Sequence, residues 1–253
     1  MVIRRPISGG CPPGDEQQKE QVMRHLSRAI VLGLVAASLM VGRAYADENK
    51  GTNTGKEAVK PTEKPTGVET AQIAGELAAW ARANHDAVGL ATAARVLAMD
   101  PPRTMENPSK KVEGKPTDQP KPVVGEFTPA SLIKEAKEMA KDDKDALAAV
   151  EQIEKTLPAS RGHPGGAIID RDTLPPGGSV TYTITFNGSE PMEVAVFASA
   201  PGIIDWHVYD ENGNEIQSQA SDHFVNMPKW TGPFRVVLQN LTGAYQPYTF
   251  ATN

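Results

Sequence analysis

The sequence predicts an α+β chain of several segments: helical hairpins over about residues 69–158, followed by an antiparallel β-sandwich or jelly roll over about 168–253. Three observations carry this. Apolar residues recur at helical spacing between two Pro-rich tracts, they alternate every second position near the carboxyl end, and Gly and Pro (22 and 21 residues) fall in blocks between these regions. A chain of 253 residues with 39% apolar content can bury a core, yet it has room for about two ordinary domains. Its net charge of −5 gives no support to nucleic-acid binding, which needs a basic stripe to neutralise phosphates, and no nucleic-acid partner is expected.

Residues 1–46 read as a presequence with a secretory signal. Arg24, His25 and Arg28 precede the apolar run 29–41, and the small-residue triplet Ala44-Tyr45-Ala46 follows, an A-x-A cleavage pattern. Thirteen residues span about 20 Å as a helix, short of the roughly 30 Å hydrocarbon core, so no stable membrane anchor is expected after cleavage. Met23 offers a second start just upstream. The single cysteine, Cys11, lies in this presequence, so the exported product has no thiol for a disulfide or a Cys–metal site. The expected location is periplasmic or secreted.

Residues 47–68 are polar and Pro-punctuated and read as a disordered linker. In the hairpin over 69–100, Ile73, Leu77, Trp80 and Ala81 form an amphipathic stripe, and Leu90, Ala94 and Leu97 continue the pattern until Pro101-Pro102 stops it. Residues 101–127, with Pro108, Pro116, Pro120 and several lysines, read as a second linker. The hairpin over 128–158 opens at Thr128-Pro129, an N-cap followed by proline at the first helical position, where a missing N–H is no loss. Leu132, Ala136, Met139 and Ala140 supply its first stripe, and Ala146, Val150, Ile153 and Leu157 its second. The hairpins align at an offset of 59 residues, Ile73 with Leu132, Trp80 with Met139 and Asp86 with Asp145, which predicts an internal repeat. Residues 159–167 are a hinge by composition.

In the carboxy-terminal segment, Val180, Tyr182, Ile184 and Phe186 alternate with Thr181, Thr183 and Thr185, the pattern of a half-buried strand. Further strands are predicted at 193–198, at 204–209 with Ile204, Trp206 and Val208 inward, at 215–217 after the Asn212-Gly213 turn, around Phe234, Val236 and Leu238, and at 248–252.

The run Asp205-Trp206-His207-Val208-Tyr209-Asp210-Glu211-Asn212-Gly213-Asn214-Glu215-Ile216, then Trp230-Thr231-Gly232-Pro233-Phe234-Arg235-Val236-Val237-Leu238-Gln239-Asn240, then Tyr245 to Tyr248 and Phe250, resembles bacterial pre-peptidase C-terminal domains. The resemblance covers about the last third of the chain, residues 168–253. It implies a compact β-sandwich of an exported protein, often joined to secreted proteases, where it assists secretion or binds insoluble substrate. Some members hold calcium on loop aspartates; by match Asp205 and Asp210 are the candidates, with Asp222 nearby, although Ile203-Ile204 and Trp206-His207 depart from the acid-rich motif. Calcium takes six to eight oxygens, which three carboxylates and backbone carbonyls approach.

No catalytic constellation is expected. No two histidines share the i, i+4 spacing of a helical metal pair, no G-x-S-x-G elbow is present, and the Gly-rich segments lack the Lys-Ser/Thr of a phosphate loop. His207 beside Asp205 reads either as a general-base pair or as a plain surface hydrogen bond. Tyr209, Tyr245 and Tyr248 are candidate binding aromatics, since ring faces stack on sugars or apolar side chains without a catalytic neighbour. The expectation is a non-catalytic binding or scaffolding protein of the bacterial envelope whose partner is an envelope or extracellular protein or glycan. The alternative is an accessory or chaperone-like module for a secreted hydrolase.

Overall fold

A computed structural model describes residues 51–55, 66–115, 117–158, 166–199, 202–218 and 222–253, all within one compact unit, Asp47–Asn253. The expected signal and cleavage site, and the hinge residues 159–165, lie outside the described residues.

Helix α1, Gly67–Ala83, starts where the Thr66 hydroxyl accepts the Glu69 N–H, with Glu69 in the first turn and Arg82 in the last, as the helix dipole favours. Its buried face is made of small residues, Ala71, Ala74, Gly75, Ala78 and Ala81. Two members of the stripe read from the sequence face outward instead: Ile73 is 42% and Trp80 56% exposed. Helix α2, Ala87–Leu97, is capped by Asp86 and is packed by α1 and by both helices of the second hairpin. Between α2 and that hairpin come two short strands, β1 (Arg103–Thr104) and β2 (Lys110–Glu113). Helix α3, Pro129–Met139, opens with the expected Thr128 cap and proline, closed into a capping box by Ser131. Helix α4, Lys144–Lys155, is capped by Asp143. The two Asp caps thus stand 57 residues apart rather than 59, and Ile73 is exposed where its supposed counterpart Leu132 is fully buried. The hairpins are therefore not equivalent copies. Arg82 and Glu135 tie α1 to α3 through two hydrogen bonds of 2.7 Å, and Lys137–Glu154 at 2.6 Å ties α3 to α4.

The remaining strands are β3 (Ile168–Leu174), β4 (Ser179–Phe186), β5 (Met192–Ala198), β6 (Ile204–Tyr209), β7 (Glu215–Ser218), β8 (His223–Asn226), β9 (Gly232–Asn240) and β10 (Gln246–Thr252). They form two five-stranded sheets in spatial orders β1-β3-β10-β5-β8 and β2-β4-β9-β6-β7. Every pair is antiparallel except β1 with β3. The sheets face each other over a core that includes Tyr182, Phe186, Trp206, Phe234, Leu238 and Phe250, with Tyr182 stacked on Phe250 at 4.2 Å between ring centres.

The first sheet is covered on both faces. Met192, Val194 and Val196 of β5 point into the sandwich, while Ala195 and Phe197, with Ile169 of β3 and Ala251 of β10, join the helical core. The architecture is three layers, helices on one sheet on a second sheet. Residues 101–127, expected as a free linker, instead add an edge strand to each sheet. The β2 edge is fastened across the sandwich: Lys110 Nζ donates to Asp170 at 2.6 Å and Asp172 at 2.9 Å on β3, and the Tyr182 hydroxyl donates to Asp170 at 2.5 Å.

The leader is anchored as well. Asn53, fully buried, has both ends of its amide satisfied. Oδ1 accepts the N–H groups of Lys229 (2.8 Å) and Trp230 (3.2 Å), and Nδ2 donates to Trp230 O (3.0 Å) and Glu211 Oε2 (3.2 Å). Its backbone N–H reaches Asp210 Oδ2 at 2.9 Å. Residues 51–55 are a strap seated between the β6–β7 turn and the β8–β9 loop, in place of the disorder expected there.

Strand β7 is held at the sheet edge by His207, whose Nδ1 lies 2.6 Å from Glu215 Oε1 and whose Nε2 lies 3.3 Å from Asp205 Oδ2. Burial pulls the imidazole pKa down, but the Glu215 hydrogen bond and the Asp205 charge outweigh it and leave it raised above 6.5.

Three outcomes follow from these contacts. Asn53→Ala removes the acceptor of the Lys229 and Trp230 N–H groups and the donor to Trp230 O and Glu211 and is expected to cost about 2 kcal/mol, a melting-temperature drop of about 5 °C for a chain this size, readable by calorimetry. Gly75→Ala places a methyl 2.2 Å from the Phe197 ring, an overpacking expected to cost about 1–3 kcal/mol. Because the folded pKa of His207 is raised, its clamp stabilises fully below the unfolded value and fades as pH rises through the folded one. The melting-temperature gap between the parent and His207→Gln should therefore be widest at acidic pH and close in alkaline buffer; a gap that grows with pH would refute the clamp.

Candidate ligand groove

The three aspartates matched to calcium ligation are dispersed. Asp210, fully buried, accepts from the N–H groups of Asn53, Asn212 and Asn214 and from Asn214 Nδ2 at 2.8–3.0 Å. Its oxygens are occupied by donors that brace the turn and the strap. Asp205 is paired with His207 on the outer face of the second sheet, and Asp222 precedes β8 at the edge of the first. Among the described residues no group of three His, Cys, Asp or Glu side chains is placed to hold a metal ion, so the donor set calcium requires is not assembled.

The tyrosines are likewise not a platform. Tyr248 is 2% exposed, its hydroxyl 2.7 Å from that of Tyr182, and burial pushes both phenols up, so they stay neutral inside the core. Tyr245 is half-buried and its hydroxyl accepts the Thr117 N–H at 3.2 Å. Tyr209 is covered by the Arg235 guanidinium, 5.5 Å from the ring centre, and flanked by His207. His207 has both ring nitrogens engaged by carboxylates, the geometry of a structural clamp.

The exposed aromatic is one that helical spacing placed in the core. Glu76, Ala79, Trp80 and Ala83 lie at i, i+3, i+4 and i+7, so they share one face of α1. That face looks across at the end of β5, Val196 to Ser199, with Gly202, Ile204 and Asp222 opposite; together they enclose a cavity of about 410 Å³. The cavity exists because α1 approaches the sheet through Gly75 and alanines, which brings the helix down on Phe197 and leaves the larger Trp80 on the rim. Its walls are mainly apolar, with two carboxylates. Glu76 accepts from Gln72 at 2.7 Å. Asp222 is fixed by its own carbonyl, which accepts the Val196 N–H at 3.1 Å. Its carboxyl pKa is raised, by burial first and then by the charge of Glu76.

A second hollow of about 350 Å³ adjoins the first and shares Ala79, Phe197, Ala198 and Ser199 with it. Its charged floor is Arg171 on β3. This guanidinium donates to Thr249 Oγ1 at 3.0 Å and to the Gly125 carbonyl, and it lies over the Phe127 ring. Burial, and then the charge of Arg82, lowers its pKa to about 10, against the opposing pull of Glu135. Trp80 with Glu76 was legible as an i, i+4 pair on one helix. The place of Asp222 and Arg171 beside them comes only with the fold.

No family model and no curated protein matches the chain. Among solved structures, a periplasmic inhibitor of g-type lysozyme from Aeromonas hydrophila is 10% identical over 34% of this chain and 84% of its own, with a TM-score of 0.30. The pre-peptidase C-terminal domain of a Bacillus anthracis collagenase is 12% identical over 34% of this chain and 89% of its own, with a TM-score of 0.28. Carbohydrate-binding modules of the β-sandwich superfamily are 9% identical over 38% of this chain and 49% of theirs, with a TM-score of 0.22. At such scores these likenesses carry no inference about ligand or activity, and the sandwich stands on its own strand pairing.

Proposed function

We propose that this chain is a non-catalytic binding protein of the bacterial envelope, periplasmic or secreted, in which a pre-peptidase C-terminal-like sandwich over residues 168–253 carries a helical layer. Its ligand is a protein or glycan surface that enters the groove between α1 and the end of β5. The observation that carries this reading is Trp80: an indole 56% exposed on the rim of a mainly apolar cavity, on a helix whose buried residues are mostly alanine and glycine. A large apolar ring left in solvent beside a concave surface is the arrangement of binding sites and of interface anchors. The described lining holds one hydroxyl, Ser199, and no histidine, lysine or cysteine. That composition supports holding a ligand over activating a nucleophile. Export rests on the basic, apolar and small-residue succession at Arg24 to Ala46.

The test uses Trp80→Ala, an exposed substitution that leaves the core intact. Peptide and oligosaccharide arrays probed with the full chain are expected to give binders that the variant loses by about tenfold or more, as hot-spot tryptophans do, with an unchanged melting temperature. Binders held equally by both proteins would move the site away from this groove.

A further inference from the structure

We infer that the groove takes a peptide segment with a basic side chain seated on Trp80 between Glu76 and Asp222, and with a carboxylate about three residues away directed to Arg171. This rests on the groove reading above and names its ligand class.

The walls supply an apolar stem site, Ala79, Ala83 and Phe197, ending at two carboxylates and an indole face. Among the described residues neither Glu76 nor Asp222 forms an ion pair, although other exposed acids of α3, α4 and the β2 edge do. Two like charges lining one cavity repel, and the Asp222 carboxyl also loses hydration; a cation placed between them relieves both. An alkyl-ammonium or guanidinium side chain fits the walls as well as the charge, since its stem packs on alanine and the Phe197 ring while its head meets the indole and the carboxylates. A bare metal ion does not fit, because two carboxylates on apolar walls fall short of six oxygens.

The adjoining hollow is lined by Arg82, Arg171, Glu126 and Glu135. Arg171 is a partly buried cation that forms no ion pair among the described residues; its hydrogen bonds go to a hydroxyl and a carbonyl, both neutral, and Glu135 is already held by both arms of Arg82. A carboxylate entering there completes a charge-assisted pair. Glu76 borders one hollow and Arg82, which lines the other together with Arg171 and acts on it through its charge, lies six residues further along α1, a rise of about 9 Å. Two to three extended peptide residues cover that distance at about 3.4 Å each. A ligand with a cation and an anion at that separation on a thin, extended backbone is a short peptide segment.

Isothermal titration of the full chain with acetyl-Lys-Ala-Ala-Glu-amide is the direct test. Replacing the peptide Lys by Gln, or Glu76→Gln and Asp222→Asn in the protein, is expected to weaken binding about tenfold each, and peptide and protein changes together should cost no more than either alone. Replacing the peptide Glu by Gln should weaken it by a comparable factor. Equal affinity for the Lys and Gln peptides, or indifference to both protein substitutions while Trp80→Ala still abolishes binding, overturns the charge assignment and leaves the groove reading standing. Binding of a neutral cello- or chito-oligosaccharide that depends on Trp80 and ignores Glu76 and Asp222 does the same. An indole N–H resonance of Trp80 unmoved by every peptide and oligosaccharide overturns both.

Discussion

The constraint on which the structure depends is that one sheet of the sandwich is apolar on both faces. Along β5 nearly every residue is buried: Met192, Val194 and Val196 fill the space between the sheets, and Ala195 and Phe197 fill the space under the helices. Leaving Phe197 in water would forgo about 1.5–3 kcal/mol of burial, so the helices are drafted into the same fold instead of hanging from it on linkers. Gly75 is what lets them come close enough. An α1 built of large residues would stand further off the sheet, and the hollows on either side of Ala79 would have different floors.

This double coverage also explains what was legible in the sequence. The second sheet has one face toward solvent, so Val180 to Phe186, Ile204 to Val208 and Phe234 to Leu238 show clean alternation and were read with their inward residues correct. Helix ends were legible where the signal is local, as at Thr128-Pro129 and Asp86. The inner face of α1 was not, because periodicity gives weight to large side chains, whereas a helix lying tight on a sheet selects alanine and glycine and turns Ile73 and Trp80 outward. Strands β1, β2 and β8 were missed because so short a run has no period to detect, while the equally short β7 was legible from its Asn212-Gly213 turn; β3 was missed despite its seven residues because Asp170-Arg171-Asp172 interrupts its apolar pattern. Their stability is non-local: Lys110 is worth placing only once Asp170 and Asp172 are opposite it. Asp210 illustrates the same limit at a site. The spacing Asp210, Asn212, Asn214 is that of a side chain capping its own turn, a local signal that was available and that competes with metal ligation for the same oxygens.

The edges of the sandwich are closed by charge instead of by further strands. Outer strands invite pairing with other chains unless they are short, charged or covered. Strand β2 is four residues with Lys110 turned in to two aspartates and Lys111 paired to Glu113 outside. Burial alone would raise the Asp172 carboxyl pKa, yet Lys110, the Thr173 N–H and Lys121 hold it below the ordinary carboxylate value. On Lys110 burial acts downward, and the same two aspartates overcome it and raise its pKa. Removing one partner would leave the other charged and half-buried, which is far costlier than never having built the pair. At the opposite edge His207 does for β7 what Lys110 does for β2, with an imidazole whose pKa Glu215 and Asp205 raise against the effect of burial.

These closures give a criterion for separating structure from function in a chain without a catalytic set. Asp170, Asp172 and Asp210 are met by donors from their own chain, each fastening an edge, a turn or a strap. A charge that already has its partner has nothing left to offer a ligand except at the cost of that contact. Glu76, Asp222 and Arg171 are different in kind. They sit on concave surface, in two hollows that share a wall, and among the described residues none of the three forms an ion pair within the chain. Evolutionary tolerance of an uncompensated charge is easiest to understand where something outside the chain compensates it, and the burial that makes such charges unfavourable alone is what makes an incoming partner's contribution large. On the proposed reading, the groove is a place where the electrostatics of the fold are completed from without.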